Sequence, residues 1–256
     1  MADGSQAVSI SLKGKVSEEE WNTRVALAAL YRLVALHGWD DLIYTHISAR
    51  LPGPDHQFLI NPYGLYFDEI TASSLVKIDL GGNILQETDY FINPAGFTIH
   101  SAIHENREDA HFVMHVHSDH GVAVSAQKEG LLPLSQHALI ILPQVAYHAY
   151  EGIALNHEEK ERLVADLGDK HAFILRNHGT LTVGRTAADC WLHMYYLEKA
   201  CTQQILALSA GREGLLIAPE AAQETVENQV RMGLGGGLAC PGALRRLDRE
   251  SPGYDA

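Results

Sequence analysis

The chain is poor in basic residues, with 19 Lys and Arg against 32 Asp and Glu and a formal net charge of -13 at pH 7. Nucleic acids and anionic membrane surfaces attract a basic face, so this charge argues against both as partners. The sequence also lacks an apolar run near the ~20 residues that a membrane span needs, and no basic, then apolar, leader opens it. A cytoplasmic location is therefore expected.

Cysteine is equally scarce. Cys190, Cys201 and Cys240 are odd in number, far apart and without a C-x-x-C spacing, which predicts neither a disulfide framework nor a thiolate metal site. Histidine, in contrast, occurs 15 times. Any metal ion bound by this protein is therefore expected to have nitrogen and oxygen ligands.

The secondary-structure signals mix strands and helices. A helix is predicted from Ser17, which Glu20 follows as in a capping box, to Gly38. Alternating apolar residues predict strands in "LIYTHISARL", "HQFLINPYG", "SSLVKIDL" and "AHFVMHVH", and Asn93 followed by Pro94 predicts the start of another helix. The stretch 130–152 is expected to be a strand-rich connector. This order favours a layered α/β fold with a mixed or largely antiparallel sheet.

The stretch "VMHVHSDHG" contains two histidines one residue apart. Because side chains alternate along a strand, His115 and His117 are predicted to point the same way. His178, in the turn "LRNHGTL", would supply a third nitrogen, and three ligands with an open position are typical of catalytic metal sites. On spacing alone, strand-end histidines without a metal explain the pattern better, so the ligand hypothesis needs further support.

Longer motifs supply it. "INPAGFTIHSAIHENREDAHFVMHVHSDHGVAVSAQKEGLLPLSQHAL" and "ILRNHGTLTVG" resemble the class II aldolase/adducin family over about residues 16–210, with the run 93–132 closer to the adducin branch. The resemblance implies a three-layer α/β/α sandwich with a mixed, largely antiparallel central sheet. It also implies a homotetramer with active sites at subunit interfaces. One divalent metal ion per subunit, zinc first with iron(II), manganese or cobalt as alternatives, would bind His115, His117 and His178.

By this resemblance the chain divides into three parts. Residues 1–15 are expected to be an N-terminal tail and residues 16–211 the aldolase/adducin-like domain. Residues 212–256 are expected to form a C-terminal extension that packs on the same domain or on a neighbouring subunit.

The sequence departs from the family's sugar-phosphate aldolases at two places. Their acid/base glutamate falls on Gly96, and their phosphate-binding segments read Thr45-His46-Ile47-Ser48 and Pro94-Ala95. A phosphorylated sugar is therefore not expected as substrate. The candidates for the missing acid/base or binding role are His46, His137, Tyr147, His148 and Glu151. His46 lies in the aldolases' anion pocket and could bind a carboxylate when protonated; a hydrogen-bonding strand histidine is the alternative.

Two further pairs of side chains receive interpretations. His100 and His104 are four residues apart on one predicted helix but lack the glutamate of H-E-x-x-H, so a structural role is expected. Asp119 and His120 follow the strand that carries His115 and could form hydrogen bonds that orient the metal-binding histidines.

Three functions remain open. The first is a metal-dependent lyase that cleaves or rearranges a C–C bond next to a carbonyl in a small, unphosphorylated oxo- or hydroxy-acid. The second is an iron(II)/O₂ oxygenase acting on an aromatic 2-oxo or hydroxy acid through the same three histidines. The third is a non-catalytic assembly module as in adducin, which the retention of all three histidines argues against.

Overall fold

The elements below come from a computed structural model, which describes residues 11–53, 56–152, 157–231 and 237–256. The helices are α1 Glu18–His37, α2 Pro94–Asn106, α3 Asp119–Ser125, α4 Gln136–Ile141, α5 His157–Leu167, α6 Ala187–Leu208, α7 Glu220–Arg231 and α8 Cys240–Glu250. The strands are β1 His46–Arg50, β2 Phe58–Ile60, β3 Val76–Ile78, β4 Phe112–Val116, β5 Val145–His148, β6 Ala172–Leu175 and β7 Gly179–Gly184.

The seven strands form one sheet in the order β3-β2-β1-β4-β7-β6-β5. Neighbouring strands are antiparallel except β5 and β6, which are parallel. The expectation of a mixed, largely antiparallel sheet is confirmed. In β4 the two faces are occupied alternately, as the period of a strand requires.

Helices cover both faces of this sheet. Met114 and Val116 point into a core built with α1, α6 and α8. Val113, on the other face, packs with side chains of α2 and α5. The three-layer α/β/α architecture is therefore confirmed, and His115, which alternates with Met114, lies on the face covered by α2 and α5.

Helix α1 begins and ends where the sequence predicts, at Ser17 and Gly38. Ser17 accepts a hydrogen bond from the Glu20 amide at 3.1 Å, and Gly38 ends α1 with a left-handed φ of 65°. The Glu20 side chain binds Arg24 and Lys77, so it does not close a capping box. Glycine is favoured at position 38 because a Cβ is strained at that φ.

The connector 130–152 differs from the prediction. It contains α4 as well as the four-residue strand β5, and Ser135 starts α4 by accepting a hydrogen bond from the Ala138 amide at 3.2 Å. The apolar run after it packs as a helix against α6. A short apolar run does not distinguish a buried strand from a buried helix, and here the Ser135 cap decides it.

The C-terminal residues contact the core domain. Leu247 of α8 is fully buried in the cluster that contains α1 and α6. Beyond α8, the Ala72 amide donates to the Tyr254 carbonyl at 2.8 Å and the Ser73 amide to the Ala256 carbonyl at 3.0 Å. Residues 1–10 of the expected tail lie outside the described residues. Within the described ranges, no helix combines the length and apolar character of a membrane span.

Candidate metal centre

Three histidines lie close together at the ends of the central strands of the sheet. His115 lies near the end of β4, His117 directly follows that strand, and His178 lies in the turn between β6 and β7. The ligand nitrogens of the three residues lie within 4.8 Å of one another. His115 is buried, whereas His117 and His178 are half-buried. The cluster therefore has a closed inner side and an open outer side.

The backbone of the β6–β7 turn brings His178 close to β4. Asn177 has a φ of 54°, a left-handed conformation that asparagine tolerates better than most residues. A Cβ at position 179 would lie 2.5 Å from the Val116 carbonyl oxygen and 3.1 Å from the His117 ring. Glycine is required at this position because any larger residue would push the turn away from β4.

Hydrogen bonds fix the tautomers of two of the three histidines. His115 donates from Nδ1 to the Thr180 carbonyl at 2.9 Å, and His117 donates from Nδ1 to an Asp41 carboxylate oxygen at 3.1 Å. Carbonyl and carboxylate oxygens only accept, so in the neutral rings both Nε2 atoms carry lone pairs. These two Nε2 atoms are 3.0 Å apart.

That arrangement suits a metal ion. Two nitrogen lone pairs 3.0 Å apart repel each other unless a cation lies near both. The third imidazole, His178, lies close by, and its ring centroid is 4.8 Å from that of His115 and 4.9 Å from that of His117. Burial, and then the neighbouring His178 and His117, lower the pKa of His115. Burial, and then His117, lower the pKa of His178 to about 4. Both shifts favour the neutral ring, which is the form that binds a metal.

The carboxylate that binds His117 Nδ1 was not predicted from the sequence. It belongs to Asp41, in the loop after α1, whereas the predicted Asp119 is exposed. Asp119 and His120 instead line a separate cavity of about 250 Å³ together with Trp39 and Lys199. No sequence signal pairs Asp41 with a histidine 76 residues away; only the packing of the loop beside β4 does so.

His46 lies next to the cluster. It is the cross-strand partner of His115, and the two ring centroids are 5.5 Å apart. On its other side the His46 ring packs against the ring of His100 in α2, with 4.1 Å between the two ring centroids. His46 therefore lies beside the three-histidine cluster, and its role in binding a carboxylate stays a prediction.

Behind His46, a hydrogen-bond chain holds α2 on the sheet. His104 donates from Nδ1 to the Ala110 carbonyl at 2.8 Å, and its Nε2 lies 2.7 Å from the Ser48 hydroxyl. The same hydroxyl lies 2.6 Å from His100 Nδ1. Since His104 Nε2 is the acceptor of the Ser48 proton, His100 donates to Ser48. These contacts give His100 and His104 the structural role expected from their spacing.

Two other candidates lie on the opposite face of the sheet. Tyr147 packs with the core between α4 and α6, and its hydroxyl accepts a hydrogen bond from the Leu131 amide at 3.0 Å. The Arg176 guanidinium lies over its ring, with the guanidinium carbon 4.3 Å from the ring centroid. His137 is on α4, with its Nδ1 3.1 Å from the Gln203 amide nitrogen. The alternation of side chains along β5 directs Tyr147 away from the face that carries His115.

Glu151 lies on the open side of the cluster. It lines a small cavity, about 10 Å³, together with His148, Tyr150 and His178. Its carboxylate accepts hydrogen bonds from two Arg162 nitrogens, from Nε at 2.8 Å and from Nη2. The hydrogen bond from Arg162 lowers the pKa of Glu151, which makes this carboxylate a weaker base than an unpaired one.

Residues 25–205 match the family described as Class II Aldolase and Adducin N-terminal domain. The chain belongs to the class II aldolase/adducin family. A Caulobacter vibrioides protein that carries only a provisional class 2 aldolase name is 72% identical over 99% of both chains. Rat alpha-adducin is 46% identical over 76% of this chain, but the match spans only 27% of the adducin.

Solved structures of the family agree with the fold. An aldolase II superfamily protein from Pseudomonas syringae superposes with a TM-score of 0.92 and 52% identity, covering 96% of this chain and all of that one. An L-fuculose 1-phosphate aldolase from Glaciozyma antarctica has a TM-score of 0.80 and 29% identity, covering 93% and 92%. The family resemblance in the sequence is thereby confirmed.

Proposed function

We propose that this class II aldolase/adducin family protein is a divalent-metal-dependent lyase. Its substrate is a small, unphosphorylated oxo- or hydroxy-acid, in which a C–C bond next to a carbonyl is cleaved or rearranged. The observation that carries the proposal is the pair of Nε2 lone pairs of His115 and His117, 3.0 Å apart with His178 beside them. Three neutral imidazoles leave the full charge of the ion available for substrate.

In this proposal His115, His117 and His178 hold one divalent ion, with zinc as the first expectation. The bound ion supplies Lewis acidity to a carbonyl or carboxylate oxygen. His46 binds the far end of the acid, because it is the polar side chain directly beside His115. The exposed side of the cluster admits the substrate, while His115 closes its floor.

Metal binding is the direct test. Protein purified without added metal should contain about one divalent ion per chain by elemental mass spectrometry, and His117→Ala should lose it. His111→Ala, which changes a half-buried histidine beside β4, is the matched control and should keep the ion. A wild-type protein that binds no divalent ion after dialysis against zinc would contradict the proposal and favour the adducin-like assembly function.

The L-fuculose 1-phosphate aldolase at 29% identity favours a second candidate, a sugar-phosphate aldolase. Against it, the position of the family's glutamate is Gly96 in the first turn of α2, and a glycine supplies no acid/base group. The metal-loaded protein should therefore show negligible retro-aldol cleavage of L-fuculose 1-phosphate, since losing a placed acid/base costs ~10²–10⁴-fold. Rapid cleavage in a coupled aldehyde assay would reverse this preference.

The same three histidines also suit iron(II), which needs open positions for substrate and O₂. Oxygen uptake distinguishes this oxygenase alternative from the lyase. Protein loaded with iron(II) should consume no more O₂ with an aromatic 2-oxo acid than without it. Substrate-dependent uptake that His117→Ala abolishes would establish the oxygenase instead.

A further inference from the structure

A buried carboxylate lies behind the candidate metal centre, on the face of the sheet that α6 covers. It belongs to Glu198 of α6, which is 1% exposed. One of its oxygens accepts a hydrogen bond from the Thr180 hydroxyl at 2.6 Å, and the other accepts from the Ser118 hydroxyl. A buried carboxylate is costly unless its oxygens are hydrogen-bonded, so these two hydroxyls hold the Glu198 side chain in place.

The two hydroxyls belong to the segments that carry the three histidines. Ser118 directly follows His117, and Thr180 comes two residues after His178. The Thr180 carbonyl accepts the hydrogen bond that orients His115. The carboxylate therefore joins the end of β4 to the start of β7 at the point where both lead into the candidate site.

The strand ladder alone does not hold this end of the site. The last residue pair between β4 and β7 is Val116 with Thr180. His117 and His178 both lie beyond that pair, outside the ladder that the structure describes. The hydrogen bonds to the carboxylate begin here, because Thr180 is in the last pair and Ser118 is two residues after Val116.

Gly121 makes room for this carboxylate. A Cβ at position 121 would lie 2.9 Å from Glu198 Oε1 and 2.8 Å from Ser118 Oγ. The Gly121 amide donates to Ser118 Oγ at 3.0 Å, so the hydroxyl proton of Ser118 is left for Glu198. A larger residue at position 121 would displace the carboxylate or the hydroxyl.

The remaining side of Glu198 is not closely packed. It borders the cavity of about 250 Å³ that Asp119 and His120 also line. Hydrogen bonds, rather than surrounding side chains, therefore fix the carboxylate on this side. The cavity gives the side chain space to move when either hydrogen bond is lost.

We infer that Glu198 is a positioning residue of the metal centre, whose two hydrogen bonds hold β4 and β7 at the separation that lets the three histidines bind one ion. The inference rests on the proposed metal-dependent function. Glu198 lies on the α6 face of the sheet and His115 on the other, so the carboxylate contacts neither the ion nor the substrate. It acts only through the two residues whose hydroxyls it binds.

Zinc affinity and the spectrum of bound cobalt(II) test this role in the full-length protein. Glu198→Met keeps a similar side-chain volume and removes both hydrogen bonds. It should weaken zinc affinity roughly 10-fold, the lower end of what ligand-orienting partners contribute, as measured by competition with a chromophoric chelator. The visible absorption bands of the cobalt(II)-loaded variant should differ from those of wild type, because these bands depend on ligand geometry.

Glu198→Gln should restore both measurements. Its amide oxygen can accept from Ser118, and its amide nitrogen can donate to the Thr180 hydroxyl. The Thr180 proton then has the Met194 sulfur as an acceptor, 3.6 Å away. A merely structural requirement for a buried charge would not be met by the neutral amide.

Gln204→Leu is the matched control. Gln204 is another buried polar residue of α6, 1% exposed, but it binds the Leu132 amide and the Gly130 carbonyl, which adjoin none of the three histidines. This variant should lower thermal stability and leave zinc affinity and the cobalt(II) bands unchanged. If Glu198→Met does not fold, Thr180→Val, which removes one of the two hydroxyls, supplies the same measurements and should weaken zinc affinity by a smaller factor.

The outcomes separate the two proposals. A wild type that binds neither zinc nor cobalt(II) overturns the metal-dependent function and this inference with it. A wild type that binds zinc, with unchanged affinity and bands in folded Glu198→Met or Thr180→Val, overturns only the role of Glu198, and so does an equal loss in Gln204→Leu. Loss in Glu198→Met, recovery in Glu198→Gln and no change in Gln204→Leu support both.

Discussion

At the scale of single residues, the candidate metal centre depends on the groups that orient its three histidines. Asp41 orients His117 and the Thr180 carbonyl orients His115, so that both Nε2 atoms face the same point. An imidazole that must select its tautomer and rotamer on metal binding loses affinity relative to one already oriented. The loop after α1 is thus part of the centre although it supplies no ligand.

Replacing Asp41 with Asn should weaken zinc affinity by ~10–100-fold without unfolding the protein. The amide holds His117 Nδ1 less strongly than the carboxylate does. Competition with a chromophoric chelator measures the change. Asp119→Asn, which alters an exposed carboxylate two residues after His117, should leave the affinity within a factor of about two, and equal losses in both variants would show that general charge, rather than orientation, is responsible.

At the scale of elements, hydrogen bonds of two buried histidines, His100 and His104, hold α2 on the sheet. Burial lowers the pKa of His104 to about 3 and lowers that of His100 well below its usual range. In the unfolded chain both rings take up protons near pH 6.5. The contribution of these neutral rings to stability is therefore fully present above pH 6.5 and is lost as the pH falls below it, for His104 toward about 3, because the unfolded state then binds more protons.

The free energy of unfolding should accordingly decrease on acidification below pH 6.5. Each such histidine contributes a slope of about 1.4 kcal/mol per pH unit. His104→Gln should reduce that slope by about one histidine's share, whatever its effect on stability at pH 7.5. Urea unfolding at several pH values between 5 and 7.5 measures it, and an unchanged slope in the variant would contradict the assignment of His104 as neutral in the folded state.

At the scale of the whole molecule, the described surface retains large apolar side chains. Leu216 and Leu238 are 89% and 88% exposed, and Phe91 and Leu206 are 61% and 64% exposed. Scattered single residues of this kind need no partner, so they do not establish an assembly. The homotetramer with active sites at interfaces, to which residues 133–150 would contribute, stays a proposal from the family resemblance.

Light scattering during size-exclusion chromatography at micromolar concentration should report a tetramer, or at least a dimer. The reason is that a site shared between subunits needs an interface that persists at working concentrations. A monomer of 28.1 kDa under these conditions would remove the shared-site proposal, and the three-histidine centre would then have to act within one chain.

The sequence alone determined the elements whose signals are local. Ser17 and Gly38 mark the ends of α1, and the H-x-H spacing places two imidazoles on one side of β4, because caps and strand alternation depend on neighbouring residues. The motifs around His115 and His178 also identified the family. The connector 130–152 was misread because a short apolar run is ambiguous between helix and strand.

Tertiary structure decided everything that joins distant segments. Asp41 meets His117 across 76 residues and His148 meets Asp166 across the gap between sheet and helix, and no local pattern records such pairs. Only the tertiary structure shows that Tyr147 and His137 lie on the opposite face of the sheet from His115. A strand's alternation says which residues share a face, but only packing of the layers says which face carries the metal centre.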